Sequence, residues 1–229
     1  MSKAERIIGW IYIPIHAVLL PLLLGFLYNT FSPDIIPEMT SPQLNLIYFA
    51  FSFVFVLIFL FRYLKASFSD FFDNTLGSLF SIILGFLLYY AMLYAVSFLL
   101  TAFLDDIINP NTEGIINATK LNANVMLVVG VLFAPIVEEA LFRGALFGTI
   151  RSKNRLLAYI VSALVFSLYH LWQHYVFDFD WSFLLFLLQY VPASIALAWC
   201  YERSGSIWSS ILLHALINYI ALLIQIRYF

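Results

Sequence analysis

Three charged residues interrupt a long apolar run in the stretch APIVEEALFRG, residues 134–144. Glu139 and Arg143 are four residues apart, so in a helix they face the same side and can form an ion pair. Glu138 is rotated by ~100° from Glu139 around the helix and is left without a local cation. A charged side chain at the centre of a bilayer costs ~2.5–3.5 kcal/mol on insertion scales. An uncompensated carboxylate in such a run is therefore a candidate for function.

Three more polar side chains occur at a similar depth in other apolar runs. Counted from the flanking basic residues at ~1.5 Å per helical residue, Glu138 lies about 20 Å and His170 about 22 Å deep. His214 and Asn218 share one helical face and lie about 16 and 22 Å deep by the same count. Polar residues scattered at random would not share one level. We therefore expect carboxylate, imidazole and amide groups to converge on one site.

These residue types suit the hydrolysis of an amide bond by an activated water molecule. Burial disfavours the charged form of an unpaired carboxylate, so Glu138 is suited to take a proton from water. An imidazole beside it can hold the water, while the remaining imidazole and amide are donors for an oxyanion on the attacked carbonyl. The sequence shows no serine or cysteine on a recognisable nucleophile elbow, and its one cysteine, Cys200, falls near the end of another apolar run.

The composition indicates a polytopic membrane protein. Of the 229 residues, 63% are hydrophobic and 10% are charged, whereas soluble domains are nearer half apolar and a quarter charged. The formal net charge is −2 and there is no basic run, so nucleic acid is not an expected partner. A single cysteine excludes an internal disulfide framework. Membrane lipid and a peptide or membrane-protein substrate are the partners that we expect.

Seven apolar runs are long enough to cross a bilayer, which takes ~20 residues as a helix. We predict an all-α fold: a polytopic transmembrane helix bundle of about seven spans that encloses a polar intramembrane cavity. The whole chain, 1–229, is expected to be a single integral membrane domain. The polar segment 105–122 has room for a short surface helix, and His16 on the first span is expected to hydrogen-bond between helices. The predicted spans are 7–30, 44–64, 76–104, 123–149, 156–176, 182–201 and 206–226.

The loop charges alternate from span to span and orient the chain. Cytoplasmic loops are enriched in Lys and Arg, so we predict a cytoplasmic N-terminus and an outer C-terminus, in a bacterial plasma membrane. The basic residues predicted on the cytoplasmic side are Lys3, Arg6, Arg62, Lys65, Arg151, Lys153, Arg155 and Arg203. The outer side carries two basic residues, Lys120 and Arg227, and the acidic residues Asp34, Glu38, Asp105, Asp106, Glu113, Asp178 and Asp180.

Three short motifs resemble those of one family of membrane proteases. EEALFRG resembles its EExxxR motif, and the segment from Phe166 to His170 resembles its FxxxH motif. The segment from His214 to Asn218 resembles its HxxxN motif. The family is the CAAX prenyl endopeptidase-like family of intramembrane proteases, also called CPBP or Abi. The protease-motif core predicted by this resemblance spans 123–220.

The resemblance implies a helical membrane peptidase with a water-filled cavity. In that family the first glutamate, here Glu138, is the general base, and the histidine of the second motif, here His170, assists it. The last motif, here His214 and Asn218, forms the oxyanion pocket. Members of the family cleave either prenylated protein C-termini or other peptides, and the motifs do not choose between these substrates. The residues expected to support the site structurally are Glu139 and Arg143.

A catalytic metal remains an alternative. Glu138, His170 and His214 can supply three ligands, enough for a catalytic zinc with one open position. His174 follows His170 by one helical turn and can substitute as a ligand. The sequence lacks an HExxH motif, in which one helix presents two histidines together with the base. We therefore favour a glutamate-activated water without a cofactor and keep zinc as the alternative.

Two other classes of function are compatible with intramembrane Glu and His residues. Such residues also carry protons in transporters, although the sequence shows no internal repeat with paired broken helices. A membrane immunity or partner protein can also keep the scaffold without turnover. The predicted function is an intramembrane endopeptidase, with a proton-coupled transporter or a non-catalytic membrane partner as the alternatives.

Overall fold

The computed structural model describes residues 1–31, 39–103, 108–176 and 180–228. These residues are almost entirely helical and contain no strand, which confirms the predicted all-α class. Most of the acidic residues that were used to orient the chain lie outside the described residues, namely Asp34, Glu38, Asp105, Asp106 and Asp178.

Seven helices in the described part of the chain are long and apolar enough to cross a membrane, as predicted. A short helix also lies within the segment 105–122, where the sequence left room for one. In chain order the helices are α1 (Lys3–Phe31), α2 (Ser41–Phe59), α3 (Phe61–Asp73), α4 (Thr75–Leu100), α5 (Pro110–Leu121), α6 (Ala123–Arg151), α7 (Arg155–Tyr175), α8 (Ser182–Ser204) and α9 (Ile207–Tyr228).

The predicted second span, 44–64, is wrong at its C-terminal end. α2 ends at Phe59, and Leu60 leaves the helical conformation, with φ −116° and ψ 12°, before α3 begins. The apolar start of α3 concealed this break, because Phe61 extends the apolar run of α2. α3 is amphipathic, which is typical of a helix that lies along a membrane surface. Its buried residues share one face of the helix: Tyr63, Leu64, Ser67 and Phe71.

Hydrogen bonds and ion pairs join the helix ends on the basic side of the bundle. The backbone N–H of Tyr63 donates to Oε1 of Glu5 at 2.8 Å, which ties α3 to α1. The hydroxyl of Tyr63 donates to the hydroxyl of Tyr201 at 3.2 Å. Nε of Arg155 donates to Oε1 of Glu202 at 2.9 Å, which ties α7 to α8. The ends of these four helices therefore share one side, as the predicted alternation requires.

The central helix of the bundle is α6. Residues 134–147 are all buried, so neighbouring helices cover this part of α6 on every side. Two π-helical segments, Val129–Phe133 and Glu139–Phe147, interrupt its α-helical hydrogen bonding. Pro135 follows the first of them and has no N–H to donate, which weakens regular α-helix there. The π-helical turns shift the side chains that follow relative to a regular α-helix.

Helix α1 packs very closely against α6. A Cβ atom placed on Gly9 would lie 2.5 Å from Cβ of Ala145, closer than two such atoms can approach. Small residues allow this kind of backbone approach between membrane helices. The N-terminal helix is thus in direct contact with the helix that carries both glutamates.

We expect Gly9→Ala to destabilise the fold by ~1–3 kcal/mol, because overpacking forces α1 and α6 apart. Gly25→Ala is the matched control on the same helix, since nothing lies within 4 Å of a Cβ at that position. The control should be neutral or stabilising by up to ~1 kcal/mol, because alanine favours helix over glycine. Thermal unfolding in detergent measures both variants. A Gly9→Ala protein that is as stable as the control would contradict the close packing.

Candidate active site

Glu138 lies between the two π-helical segments of α6 and faces two histidines from other helices. Its Oε2 atom is 4.0 Å from Nε2 of His170 on α7 and 3.8 Å from Nε2 of His214 on α9. The side chain is buried, and Oε2 has no hydrogen-bond partner among the residues that the structure describes. The structure therefore brings together the three groups that sequence analysis placed at one depth.

The gaps between Glu138 and the histidines have the size that a water molecule bridges. At 3.8 and 4.0 Å the atoms are too far apart for a direct hydrogen bond. A buried carboxylate oxygen without a partner is unfavourable, and native proteins commonly satisfy such groups with water. One water beside Oε2 can reach both imidazoles, because polar contacts beyond ~3.5 Å are often water-mediated.

The helical spacing from Phe166 to His170 orients the imidazole of His170. Nδ1 of His170 lies 2.8 Å from the backbone oxygen of Phe166, one turn earlier. A carbonyl oxygen only accepts hydrogen bonds, so Nδ1 carries the proton and Nε2 of the neutral ring is an acceptor. The ring also stacks on Tyr190, with centroids 4.6 Å apart. His170 thus presents an unprotonated nitrogen towards Glu138.

The imidazole of His214 is oriented by the second glutamate. Nδ1 of His214 donates to Oε1 of Glu139 at 2.8 Å, which leaves its Nε2 facing Glu138. A hydrogen bond to one ring nitrogen of histidine determines the role of the other nitrogen. Glu139 therefore orients a histidine of the site by a direct hydrogen bond, in addition to the structural role that was predicted for it.

Glu139 is fully paired, in contrast to Glu138. NH1 of Arg143 donates to Oε1 of Glu139 at 3.0 Å, with neither side chain exposed, so the predicted i,i+4 pairing is confirmed. The hydroxyl of Ser210 donates to Oε2 of Glu139. Arg143 also lies over the ring of Phe166, 4.3 Å from its centroid. The one buried arginine of the region is thus held by Glu139, and Glu138 keeps no cation among its close contacts.

Asn218 lines the same cavity, but one of its amide donors is already used. Nδ2 of Asn218 donates to the backbone oxygen of Gly130 at 2.8 Å. Gly130 belongs to the first π-helical segment of α6. This bond fixes the amide against α6 and leaves one N–H of the amide group for a ligand. The amide is thus less free than the sequence suggested.

A chain of hydrogen-bonded groups beside Glu138, some buried and some half-buried, was not predicted from the sequence. The hydroxyl of Tyr169 lies 3.5 Å from Oε1 of Glu138 and 3.2 Å from Nε2 of His16. The same nitrogen of His16 lies 3.1 Å from the hydroxyl of Tyr48, and its Nδ1 lies 2.9 Å from Oγ of Ser52. His16 hydrogen-bonds between helices, as expected. Its connection to Glu138 through Tyr169 was not expected, and the one signal for it in the sequence is that Tyr169 precedes His170.

The candidate ligands Glu138, His170 and His214 lie farther apart than the ligands of a bound zinc ion. Tetrahedral ligands at ~2.0–2.1 Å from zinc lie ~3.3 Å from one another, whereas Oε2 of Glu138 lies 4.0 Å from His170 and 3.8 Å from His214. Among the described residues, no group of three or more His, Cys, Asp or Glu side chains is placed to hold a metal. His174 lines the cavity without completing such a group. The described side chains, as placed, therefore do not form the three-ligand zinc site that the sequence left open, and a glutamate-activated water without a cofactor stays a prediction.

The three groups stand at one end of a cavity of about 410 Å³. This volume falls within the ~300–1,000 Å³ that is typical of ligand sites. Apart from the candidate catalytic residues, the polar side chains of the lining are mostly amides and hydroxyls. They include Ser41, Asn45, Tyr48, Asn111, Gln173 and Gln225.

The two adjacent glutamates are expected to respond in opposite ways to neutralisation. Glu139→Gln leaves Arg143 as an uncompensated buried charge, which typically costs ~3–5 kcal/mol. Glu138→Gln removes a buried carboxylate that has no cation, so stability should be unchanged or should rise. Thermal unfolding of both purified variants in one detergent measures the difference. Equal destabilisation by the two substitutions would show that the glutamates share the arginine.

Comparison with known proteins supports a peptidase relationship for this region. Residues 120–220 match the family model described as type II CAAX prenyl endopeptidase Rce1-like. A Bacillus subtilis protein with the name "Putative membrane peptidase YdiL" is 27% identical over 118 residues, which are 51% of this chain and 43% of that protein. UPF0177 protein YxdF of Lactococcus lactis is 30% identical over 91 residues, or 40% of this chain and 44% of that protein.

UPF0177 protein YaiF of the same organism is 37% identical over 90 residues, or 38% of this chain and 34% of that protein. The chain thus spans less than half the length of these relatives. No solved structure matches the chain. The family match contains all three motifs, and it confirms over residues 120–220 the resemblance of this integral membrane protein to the Rce1-like CAAX prenyl endopeptidase family of membrane peptidases.

Proposed function

We propose that this chain is an intramembrane endopeptidase that hydrolyses a peptide bond with a water molecule activated by Glu138 and His170. The observation that carries the proposal is the buried, unpartnered Oε2 atom of Glu138, which faces Nε2 of two histidines at 3.8 and 4.0 Å. Proton acceptors around one water-sized space are what a general-base hydrolase requires.

In the proposed reaction a water molecule donates its hydrogen bonds to Oε2 of Glu138 and Nε2 of His170. Its oxygen attacks the carbonyl carbon of the scissile peptide bond as Glu138 takes one proton. The carbonyl oxygen becomes an oxyanion in a tetrahedral intermediate. Glu138 then gives the proton to the leaving nitrogen, the C–N bond breaks, and the products are a carboxylate and an amine.

The oxyanion is proposed to be stabilised by His214 and Asn218. In this proposal Nε2 of His214 donates to the oxyanion, while Nδ1 keeps the ring oriented through its hydrogen bond to Oε1 of Glu139. Asn218 supplies the N–H that is not used on Gly130. Donors held in place before the reaction cost little reorganisation when charge develops on the substrate. The contacts of Glu139 and Asn218 with protein groups provide that rigidity.

The adjacent glutamates are proposed to have separate roles because their partners differ. Glu139 holds Arg143, Ser210 and His214, so its carboxylate is not available to take a proton from water. Within the described part of the chain, the one hydrogen bond of Glu138 is the 3.5 Å contact from the hydroxyl of Tyr169, and its Oε2 atom faces the space between the histidines. The same residue type therefore serves as a support at one position and as a base at the next.

Glu138→Gln is expected to lower peptide cleavage by at least ~10²-fold, because the amide cannot act as a general base. The assay uses the protein purified in detergent with a fluorescence-quenched peptide library, with and without a chelator. Glu113→Gln is the matched control, since Glu113 is exposed on α5 and lies outside the cavity. Cleavage by Glu138→Gln at the rate of the control would rule out the proposed base.

The same variant separates the alternative functions. Proton-coupled flux into reconstituted vesicles that disappears in Glu138→Gln, without cleavage by either protein, would identify a transporter. A cellular phenotype that survives Glu138→Ala would identify a non-catalytic membrane partner.

Asn218→Ala is expected to lower kcat by ~10²–10³-fold with a small change in KM, because an oxyanion donor acts mainly in the transition state. Loss of the bond to Gly130 also loosens α9 against α6, so thermal unfolding is recorded for the same sample. A variant that raises KM and leaves kcat unchanged would assign Asn218 to substrate binding instead.

A further inference from the structure

The cavity that holds Glu138 extends towards one set of helix ends. Its lining includes Ser41, the first residue of α2, and Asn111 in the first turn of α5. It also includes Gln173 in the last turn of α7 and Gln225 in the last turn of α9. All these positions lie on the side where α6 begins, opposite to the basic helix ends.

The other side of the site is filled by packed side chains. In the described part of the chain, no residue between Glu138 and Tyr169 lines the cavity. Residues 139–147 are all buried, and Phe142 packs in one apolar cluster with Phe166. The described residues therefore leave one direction from which a substrate can approach Glu138.

The filled side is also the basic side. All eight basic residues predicted to be cytoplasmic belong to the described residues, at helix ends away from the cavity. The basic residues on the cavity side are two, Lys120 and Arg227. A bias of eight to two places the basic side in the cytoplasm by the positive-inside rule. The open direction of the cavity then faces away from the cytoplasm.

Among the described residues that line the cavity, Glu138 is the only carboxylate, and none is Lys or Arg. His174 is the titratable side chain of this lining near the open end. Amide side chains such as those of Asn45 and Gln173 both donate and accept hydrogen bonds, so they match the N–H and C=O groups of an extended peptide. A Lys, Arg, Asp or Glu side chain of a substrate would find no Lys, Arg or carboxylate partner among the described lining residues other than Glu138.

We infer that the site receives its substrate from the non-cytoplasmic side of the membrane. The substrate class is an extended, uncharged segment of an exported or membrane-anchored polypeptide. This inference rests on the proposed peptidase function for its chemistry, and on the cavity direction and loop charges for its geometry. A peptide presented at the cytoplasmic face meets the packed side of the site.

Cysteine labelling in intact cells tests the direction of access. Gln173→Cys places a thiol on the exposed cavity side of α7, and Lys153→Cys places one on the exposed basic side, just before the same helix. The unmodified chain is the background control, because its single cysteine, Cys200, is buried. A membrane-impermeant maleimide should label Gln173→Cys in intact cells and Lys153→Cys only after permeabilisation. The reverse pattern overturns the inference.

Sealed membrane vesicles test the substrate side independently of labelling. The full chain is assayed with an impermeant fluorescence-quenched peptide library added outside right-side-out and inside-out vesicles. Cleavage should be at least ten-fold faster in the right-side-out preparation, and equal or reversed rates overturn the inference. Inverted labelling with cleavage that still depends on Glu138 rejects the access side alone. The expected labelling with cleavage that does not depend on Glu138 rejects the proposed function alone.

Discussion

Glu139 and Arg143 pair at 3.0 Å in a part of α6 where neither side chain is exposed. Arg143 pairs with Glu139, whose other hydrogen bonds go to Ser210 and His214, so the neighbouring Glu138 has no ion pair with Arg143. The reactive character proposed for Glu138 therefore depends on the pairing of Glu139.

The geometry around this pair depends in turn on the shape of α6. Fourteen consecutive buried residues, 134–147, make α6 a helix packed on all sides. Two π-helical segments of α6 flank Glu138, and they change the direction in which the side chains of α6 point. Asn218 reaches the backbone of one segment and His214 reaches the first residue of the other. Helix α9 is thus hydrogen-bonded to both π-helical segments of α6.

Much of the fold followed from the sequence because lipid restricts the possible structures. Apolar length and basic loop residues are strong signals, and they predicted seven spans of which six agree with the helix bounds to within four residues. The break at Leu60 was missed, because an amphipathic surface helix that begins with phenylalanine continues the apolar run before it. Depth counting brought Glu138, His170 and His214 to one place, since helical rise is regular over that distance.

The remaining features of the site depend on side chains that meet across helices. The contact of Tyr169 with His16 joins residues 153 positions apart, and no local spacing reports such a contact. The role of Glu139 as the partner of His214 was missed for the same reason, because pairing within one helix already accounted for its charge. The hydrogen bond from Asn218 to the backbone oxygen of Gly130 depends on the π-helical segment of α6. Neither the proline nor the glycine in that stretch is enough to predict a π-helical segment from the sequence.

The hydrogen-bonded chain from Tyr169 through His16 to Tyr48 and Ser52 reaches α1 and α2, which lie before the segment that matches the peptidase family. The surroundings of Glu138 are therefore assembled from both halves of the polypeptide, although the recognisable motifs come from one. A fragment confined to 120–220 would carry every motif and Tyr169, and would still lack His16 and Tyr48, which contact the hydroxyl of Tyr169. Two homologues with identical motifs can thus differ in reactivity through their first two helices, where motif searches do not look.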